Sequence, residues 1–303
     1  MVVVASILNW NNFSKTIKCL ESLLTINASQ LHICVTDNHS NYFDASVLRK
    51  LNPKLEIFEN ATNDGYATGH LKALQFSKEI KADFFWILNN DLTVEVNTLE
   101  ELLYAHKKLG AGVFGSAAFN TQGYLSELEM WQLDSENHTR TNFRVVPKAE
   151  FKINQTVNVA NVFGYSMLIP MEIIWLHGFM DTSYFLYYEE TDYCLKLLKK
   201  RIPSYWVGSS KVNHEKQGSL KNNLLLKEII EYYLYRNLFS ILFRHGKLAH
   251  IYHFVLRFFM RFLSANVLGK TKVPTLTRKH LLGILHAFTG VKGKFYAPED
   301  FID

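Results

Sequence analysis

No stretch of this 303-residue sequence is both long and free enough of charge to cross a bilayer as a helix, so a spanning protein is not expected. Cysteine is scarce. Cys19, Cys34 and Cys194 are odd in number, far apart and without metal-ligand spacing. They argue against a disulfide framework and fit a reducing cytosol. The start, Met1 to Leu8, lacks a basic leader and reads as a first buried strand rather than a signal peptide. Both glycine signatures for phosphate, G-x-G-x-x-G and the P-loop, are missing. The net charge of +5 is small and dispersed. It suits an acidic small molecule or an anionic membrane surface, and it does not suggest a nucleic-acid partner.

What is present is globular, with 48% hydrophobic and 20% charged residues, in a length that fits one large domain with an appendage or two domains. The informative stretch is Phe84-Phe85-Trp86-Ile87-Leu88 followed by Asn89-Asn90-Asp91. It reads as a buried strand that ends in two amides and a carboxylate. In open α/β sheets ligands collect at the carboxyl ends of strands, where Asp91 is placed to hold a cation in front of a phosphate. Asn-Asn-Asp is equally good turn chemistry. Two earlier strands end in the same manner. Val2 to Leu8 runs into Asn9-Trp10-Asn11-Asn12, and His32 to Val35 runs into Thr36-Asp37-Asn38-His39-Ser40-Asn41. Helical spacing of Ile17, Leu20, Leu23 and Leu24 separates them, and Asn63-Asp64-Gly65-Tyr66 turns into a further helix. Strands and helices alternating at these intervals give an α/β fold with a mostly parallel sheet.

Residues 120–160 are polar and read as a loop or edge hairpin near the acceptor side. Further on, an aromatic run leads into Glu189, Glu190 and Asp192 at the start of a helix. Acidic residues in a first turn are favoured by the helix dipole, so capping alone accounts for them as readily as catalysis does. His214 stands in a polar loop, where a lone histidine is more often a surface residue than a ligand. From Leu224 to Leu268 aromatic side chains interleave with Arg257 and Arg261, one helical turn apart. This is either a packed helical appendage or a basic, aromatic face for an anionic membrane.

Taken in order, these clusters resemble family 2 glycosyltransferases, in the bacterial rhamnosyltransferase-like branch that builds surface polysaccharides. Asn9-Trp10-Asn11 is similar to that branch's Asn-Tyr-Asn, and Val35 to Ser40 to its Val-x-Asp-Asn-x-Ser. Asn63-x-Gly65-Tyr66-Ala67 is similar to its glycine turn, and Asn89-Asn90-Asp91 to its form of the metal-binding D-x-D motif. Gly178 through Asp192 resembles Gly-x-x-Asp-x-x-Phe-Phe-x-Tyr-x-Glu-Asp-x-Asp. His214 with Gly218-Ser219 resembles His-x-x-x-Gly-x-Ser, and Tyr232-Tyr233-x-x-Arg236-Asn237 matches a tyrosine-rich segment. The chain departs from the pattern at Glu190, where Asp is usual, and at His70, Ala73 and Lys196, in place of Asn, Gly and Arg.

The resemblance implies a GT-A type nucleotide-sugar-binding domain over residues 1–220 and a helical C-terminal region over 221–303. It implies an inverting transferase that moves a sugar from a nucleotide diphosphate (dTDP-rhamnose or a UDP-sugar) to a lipid-linked saccharide on the cytoplasmic face of the membrane. Asn9, Trp10, Asn11, Asp37, Asn63, Gly65, Asn89, Asn90 and Asp91 would contact the donor. Asp91 and His214 would hold Mg²⁺ or Mn²⁺. Glu190 would be the base, with Asp192 orienting it. Two other classes remain open, a sugar-nucleotide pyrophosphorylase and a non-catalytic membrane-surface scaffold. The first would want glycine and arginine after the first strand, and the second has no use for Asp91, Glu190 and His214 together.

Overall fold

A computed structural model describes residues 1–125, 129–133, 143–147, 152–214, 224–246 and 278–297. Glu215, Gly218, Ser219, Arg257 and Arg261, and with them much of the expected membrane segment, lie outside the described residues.

The chain divides into two compact units. The first comprises Met1–Asp181 and Glu190–Gln217, the second Thr182–Glu189 and Gly218–Asp303. The first unit is built on β1 (Val3–Asn9), β2 (Leu31–Asp37), β3 (Glu56–Glu59) and β4 (Phe84–Asn89), which lie parallel in the order 3-2-1-4. The chain leaves β1 on one side and returns on the other, so the rim between β1 and β4 is a topological switch point. Beyond β4 the sheet becomes mixed. β10 (Ser166–Pro170) runs antiparallel to β4 and to β6 (Val113–Phe119). β11 (Ser204–His214) is parallel to β6 and antiparallel to β5 (Leu92–Val94) and β9 (Thr156–Val159). A separate hairpin joins β7 (Glu129–Leu133) and β8 (Phe143–Pro147), inside the stretch read as a loop or edge hairpin.

The central strands β1, β4, β6 and β10 are buried on both faces, as strands covered by helices on two sides are. In β4 the side chains alternate between two cores, Phe84, Trp86 and Leu88 on one side and Phe85 and Ile87 on the other. The first core is closed by α1 (Phe13–Leu23) and α5 (Thr98–Leu109). In α1, Thr16, Cys19, Leu20 and Leu23 recur at i, i+3, i+4 and i+7 and are buried, which is the amphipathic pattern of a surface helix. α5 carries Glu100 and Glu101 in its first turn and His106, Lys107 and Lys108 in its last, both favoured by the macrodipole. The second core is closed by α4 (Leu71–Glu79), α6 (Met171–His177) and α7 (Glu189–Leu198). A run of buried hydroxyls inside is paired. The Trp86 indole donates to Ser166 Oγ, which bonds Ser116 Oγ and through it Ser210, whose hydroxyl donates to the Thr98 carbonyl. Buried hydroxyls left unpaired would each cost about 1–3 kcal/mol.

The second unit pairs α8 (Leu224–His245) with α9 (Arg278–Thr289), which run in the same direction, Lys279 meeting Glu228 and Phe288 meeting Phe243, and includes the segment 182–189. Gly283 allows the two helices to meet backbone to backbone, since a Cβ there would lie 2.6 Å from the Tyr232 carbonyl oxygen. His280 and Lys279 of α9 pair with Glu231 and Glu228 of α8 at 2.9 and 3.3 Å. No described helix is long and apolar enough to cross a membrane.

Candidate active site

Register brings the polar clusters to one edge. Asn9 is the pairing partner of Asp37, and Leu8 that of Asn89, so the carboxyl ends of β1, β2 and β4 stand level. Antiparallel pairing sets His214 beside Leu92, the residue after Asp91. His214 Nε2 lies 3.0 Å from Asp91 Oδ1, both side chains mostly buried at 11% and 18% exposure. The imidazole sits against the Tyr165 ring, 5.2 Å between centroids.

The donor set fits a divalent cation of the hard-to-intermediate type, one carboxylate oxygen and one imidazole nitrogen. Among the described residues no cluster of three or more His, Cys, Asp or Glu could hold a metal alone. A cation held here would need further ligands from outside the protein, as Mg²⁺ takes from water and substrate phosphates. A shallow opening at Asp91 is lined by Lys15 and Lys18 of α1 with Asn90, Thr93, Thr121 and Asn213.

A chain of hydrogen bonds ties the rim together. Asn90 Nδ2 donates to Thr16 Oγ1 (2.9 Å), which donates to Asn9 Oδ1 (2.5 Å). Asn9 Nδ2 donates to Asp37 Oδ1 (2.6 Å) and to Ser40 Oγ (3.0 Å). Ser40 Oγ donates to the same Asp37 oxygen, and its backbone N–H to Asp37 Oδ2. Asn11, with φ of +51°, donates its N–H to Ser40 and accepts from the Asn41 N–H. Asn38 carries the chain on, donating to Asn63 Oδ1 (2.9 Å), which also receives the Gly65 N–H. Gly65 has φ of +98°, a backbone that L side chains rarely adopt, and it starts the one-turn helix α3 (Tyr66–Gly69).

The Tyr66 hydroxyl links this rim to the acidic helix. It donates to the Gly164 carbonyl (2.7 Å) and lies 3.0 Å from Asn89 Oδ1. A Cβ on Gly164 would stand 3.5 Å from that hydroxyl and 3.7 Å from Glu190 Cβ, so Glu190 borders the same edge. Of the three acidic candidates, Glu189 and Asp192 are only 4% and 2% exposed, while Glu190 is half-buried and reaches the surface. Its carboxyl group is nonetheless surrounded by protein, and that desolvation raises its pKa above the ordinary carboxylate value, against hydrogen bonds from its own and the Thr191 backbone and the Thr191 hydroxyl.

Residues 6–174, more than half of the sequence, match the family described as glycosyl transferase family 2. The chain belongs to that family. A low-salt glycan biosynthesis hexosyltransferase of Haloferax volcanii is 24% identical over 152 residues, covering 49% of this chain and 48% of the relative, so the match spans about half the length of each. Among solved structures, Staphylococcus aureus TarS 1–349 in complex with UDP-GlcNAc aligns with a TM-score of 0.61 at 12% identity, covering 96% of this chain and 80% of that one. A mannosyltransferase of Pyrobaculum calidifontis in complex with GDP-mannose and Mn²⁺ aligns with a TM-score of 0.57 at 12% identity, covering 95% and 69%. At these identities the likeness establishes the fold, which is of GT-A type.

Within this family 2 glycosyltransferase the expected residues fall into groups. Asp91 with His214, Glu190, Asn89 and Gly65 stand at the rim. Asn9 is fully buried with both ends of its amide engaged, and Asn63 is 5% exposed, so both act as braces for their neighbours. Trp10 is half-buried, with an indole nitrogen that finds no acceptor in the described structure. His214 ends strand β11 instead of standing in a loop. His70, which replaces an Asn of the glycine turn, is fully buried and bonds Ser6 Oγ at 2.8 Å. Burial lowers its pKa to about 3, so it is neutral and structural. Reading the sequence missed Thr16, Lys15, Lys18 and Tyr66 as contributors. Thr16 could have been found as a hydroxyl on the buried face of α1.

Proposed function

We propose that this protein is an inverting glycosyltransferase that moves a sugar from a nucleoside diphosphate to a hydroxyl of a saccharide acceptor. The observation that carries the reading is the approach to one sheet rim of the Asp91–His214 pair and, through Tyr66 and Gly164, of Glu190, a residue only partly buried. Glu190 takes the proton of the acceptor hydroxyl as that oxygen bonds to the anomeric carbon. The bond from that carbon to the diphosphate oxygen breaks, and its electron pair leaves with the nucleoside diphosphate. Asp91 and His214 would hold Mg²⁺ or Mn²⁺, which supplies neutralisation of the charge on the departing diphosphate. Lys15 and Lys18 add positive charge at the same opening. Asp37 accepts three of the four hydrogen bonds its carboxylate can take, which leaves one acceptor site for an N–H or O–H of the nucleoside. Trp10 lines the base.

The finer reading is a dTDP-rhamnose or UDP-sugar donor and a lipid-linked acceptor at the cytoplasmic membrane surface. The membrane part is supported by α9, whose Leu281, Leu285 and Phe288 are 47%, 54% and 60% exposed at i, i+4 and i+7. Residues 278–297 add Arg278, Lys279, Lys292 and Lys294 and contain no Asp or Glu. That combination suits an anionic lipid surface. The reading of activity is tested by incubating the protein with Mn²⁺ and a panel of nucleotide sugars, and following release of the nucleoside diphosphate. Release that excess chelator stops is expected. Full activity in chelator removes the metal from the reading, and no release from any donor refutes the transferase.

A further inference from the structure

Two tyrosines just ahead of Glu190 hold an unusual backbone. Tyr187 and Tyr188 have φ of +68° and +73°, consecutive left-handed residues that are not glycine. Such conformations are costly for side chains with a Cβ and persist only where neighbours impose them. Here the neighbour is Asn237 of α8, in the same compact unit as the segment 182–189. Its side-chain amide donates to the carbonyls of both Leu186 and Tyr187, each at 2.8 Å. Asn237 is 2% exposed, and its own oxygen is fixed by Arg236 Nε at 2.9 Å. Arg236 is 1% exposed, reaches the Gly293 carbonyl at 2.6 Å and lies over the Tyr233 ring at 4.8 Å. The Tyr233 ring packs against Phe185 (5.0 Å between centroids), and its hydroxyl is held by the backbone of Phe295 and Tyr296. The tyrosine-rich motif of α8 is thus a clamp on the turn that leads into α7.

We propose that Asn237 is a positioning residue for the catalytic base, imposing the left-handed turn at Tyr187 and Tyr188 that sets the direction in which Glu190 enters its helix. Without the two donated hydrogen bonds the tyrosines relax to right-handed or extended backbone, and the chain delivers the carboxylate to a different place. The base meets the acceptor rather than the donor, so the loss falls on turnover and leaves donor binding intact. Arg236 supports Asn237 and has no separate role in the reaction.

This inference rests on Glu190 being the base, and the experiment keeps the two apart. Steady-state transfer, donor binding and thermal melting are measured for the wild-type protein and for Asn237→Asp, Asn237→Ala and Glu190→Gln. Asn237→Asp keeps the size and the oxygen that accepts from Arg236 but has no proton for the Leu186 and Tyr187 carbonyls. It is expected to lower kcat on the order of ten- to a hundredfold, the scale of a displaced catalytic group. Its donor KM and Kd stay near those of the wild type, while its melting temperature falls because two buried carbonyls lose their donor. Asn237→Ala shares the loss in kcat and melts lower. A kcat for Asn237→Asp within about twofold of wild type overturns the proposal, and so does a loss in which donor affinity falls in parallel with kcat. A fully active Glu190→Gln instead overturns the assignment of the base.

Discussion

Asp37→Asn should unfasten the donor-side rim without changing its shape. Asp37 is 4% exposed, and its carboxylate receives Asn9 Nδ2 and Ser40 Oγ on Oδ1, both at 2.6 Å, and the Ser40 N–H on Oδ2 at 2.9 Å. An asparagine best keeps its carbonyl at the Oδ1 position and turns its NH₂ toward the Ser40 N–H. That contact is then lost, about 1.5–3 kcal/mol for a hydrogen bond to a charged group. The other two fall from charge-assisted to neutral strength, roughly half. A neutral amide is easier to bury than a carboxylate, which offsets part of the sum. A net destabilisation of about 3 kcal/mol follows, or a fall in melting temperature of about 6–12 °C for a domain of this size. The nucleoside loses its acceptor at the same time, so affinity for nucleoside diphosphate should fall about tenfold. Thermal melting, a nucleotide titration and the double mutant with Ser40→Ala measure each part, the last because coupled partners are non-additive. A variant that melts within about 1 kcal/mol of wild type refutes the account of the network. Lower stability with unchanged nucleotide affinity shows that no ligand uses the fourth acceptor site.

Three further outcomes are expected. Glu190→Gln should reduce transfer by about a hundredfold or more with donor affinity unchanged, as removal of a general base does. Because burial raises the Glu190 carboxyl, the acid limb of the wild-type kcat profile should lie above the ordinary carboxylate range. The sign for stability is opposite to that of a salt-bridged acid. The glutamate is harmless below its unfolded pKa and becomes a growing penalty as pH rises through its folded pKa, so Glu190→Gln should melt higher than wild type at neutral pH and equal to it in acid. Asp91→Ala and His214→Ala should each weaken Mn²⁺-dependent binding of nucleoside diphosphate by at least about tenfold in calorimetry, since even outer partners of a metal are worth that much. Binding that ignores both substitutions and chelator would remove the cation from the site. Leu281→Gln with Phe288→Gln should reduce pelleting with anionic vesicles while leaving donor binding intact. Equal pelleting of the double variant would mean that α9 faces something other than lipid.

The parallel half of the sheet was legible in the sequence because each strand is a short apolar run stopped by polar residues, and that punctuation survives folding unchanged in Val3–Asn9, Leu31–Asp37 and Phe84–Asn89. The direction of β10 was not. Ser166 to Pro170 announces a buried strand, but nothing local says that it runs antiparallel between β4 and β6, since direction is set by partners distant in sequence. Local residues put His214 in a loop, and only the family resemblance set it with Asp91, because that pairing depends on β11 meeting β5 after a long separation.

The rim residues divide by a rule that no motif states. An asparagine at a strand end offers two donors and an acceptor, and whether these face a ligand or a neighbour depends on what else arrives. At Asn9 four neighbours arrive (Thr16, Asp37, Ser40 and, at 3.4 Å, Asn90), and the amide is consumed in holding them. At Asp37 Asn9 and Ser40 arrive, and one acceptor site is left over. The acidic helix follows similar logic. Glu189, Glu190 and Asp192 were equivalent as letters, and burial separates them, leaving Glu190 alone partly exposed, which is what supports it as the proposed base. The turn that presents it is not encoded nearby either. Tyr187 and Tyr188 are poor choices for left-handed backbone, and no local propensity explains them. The two carbonyls that Asn237 binds, some fifty residues later in the chain, do.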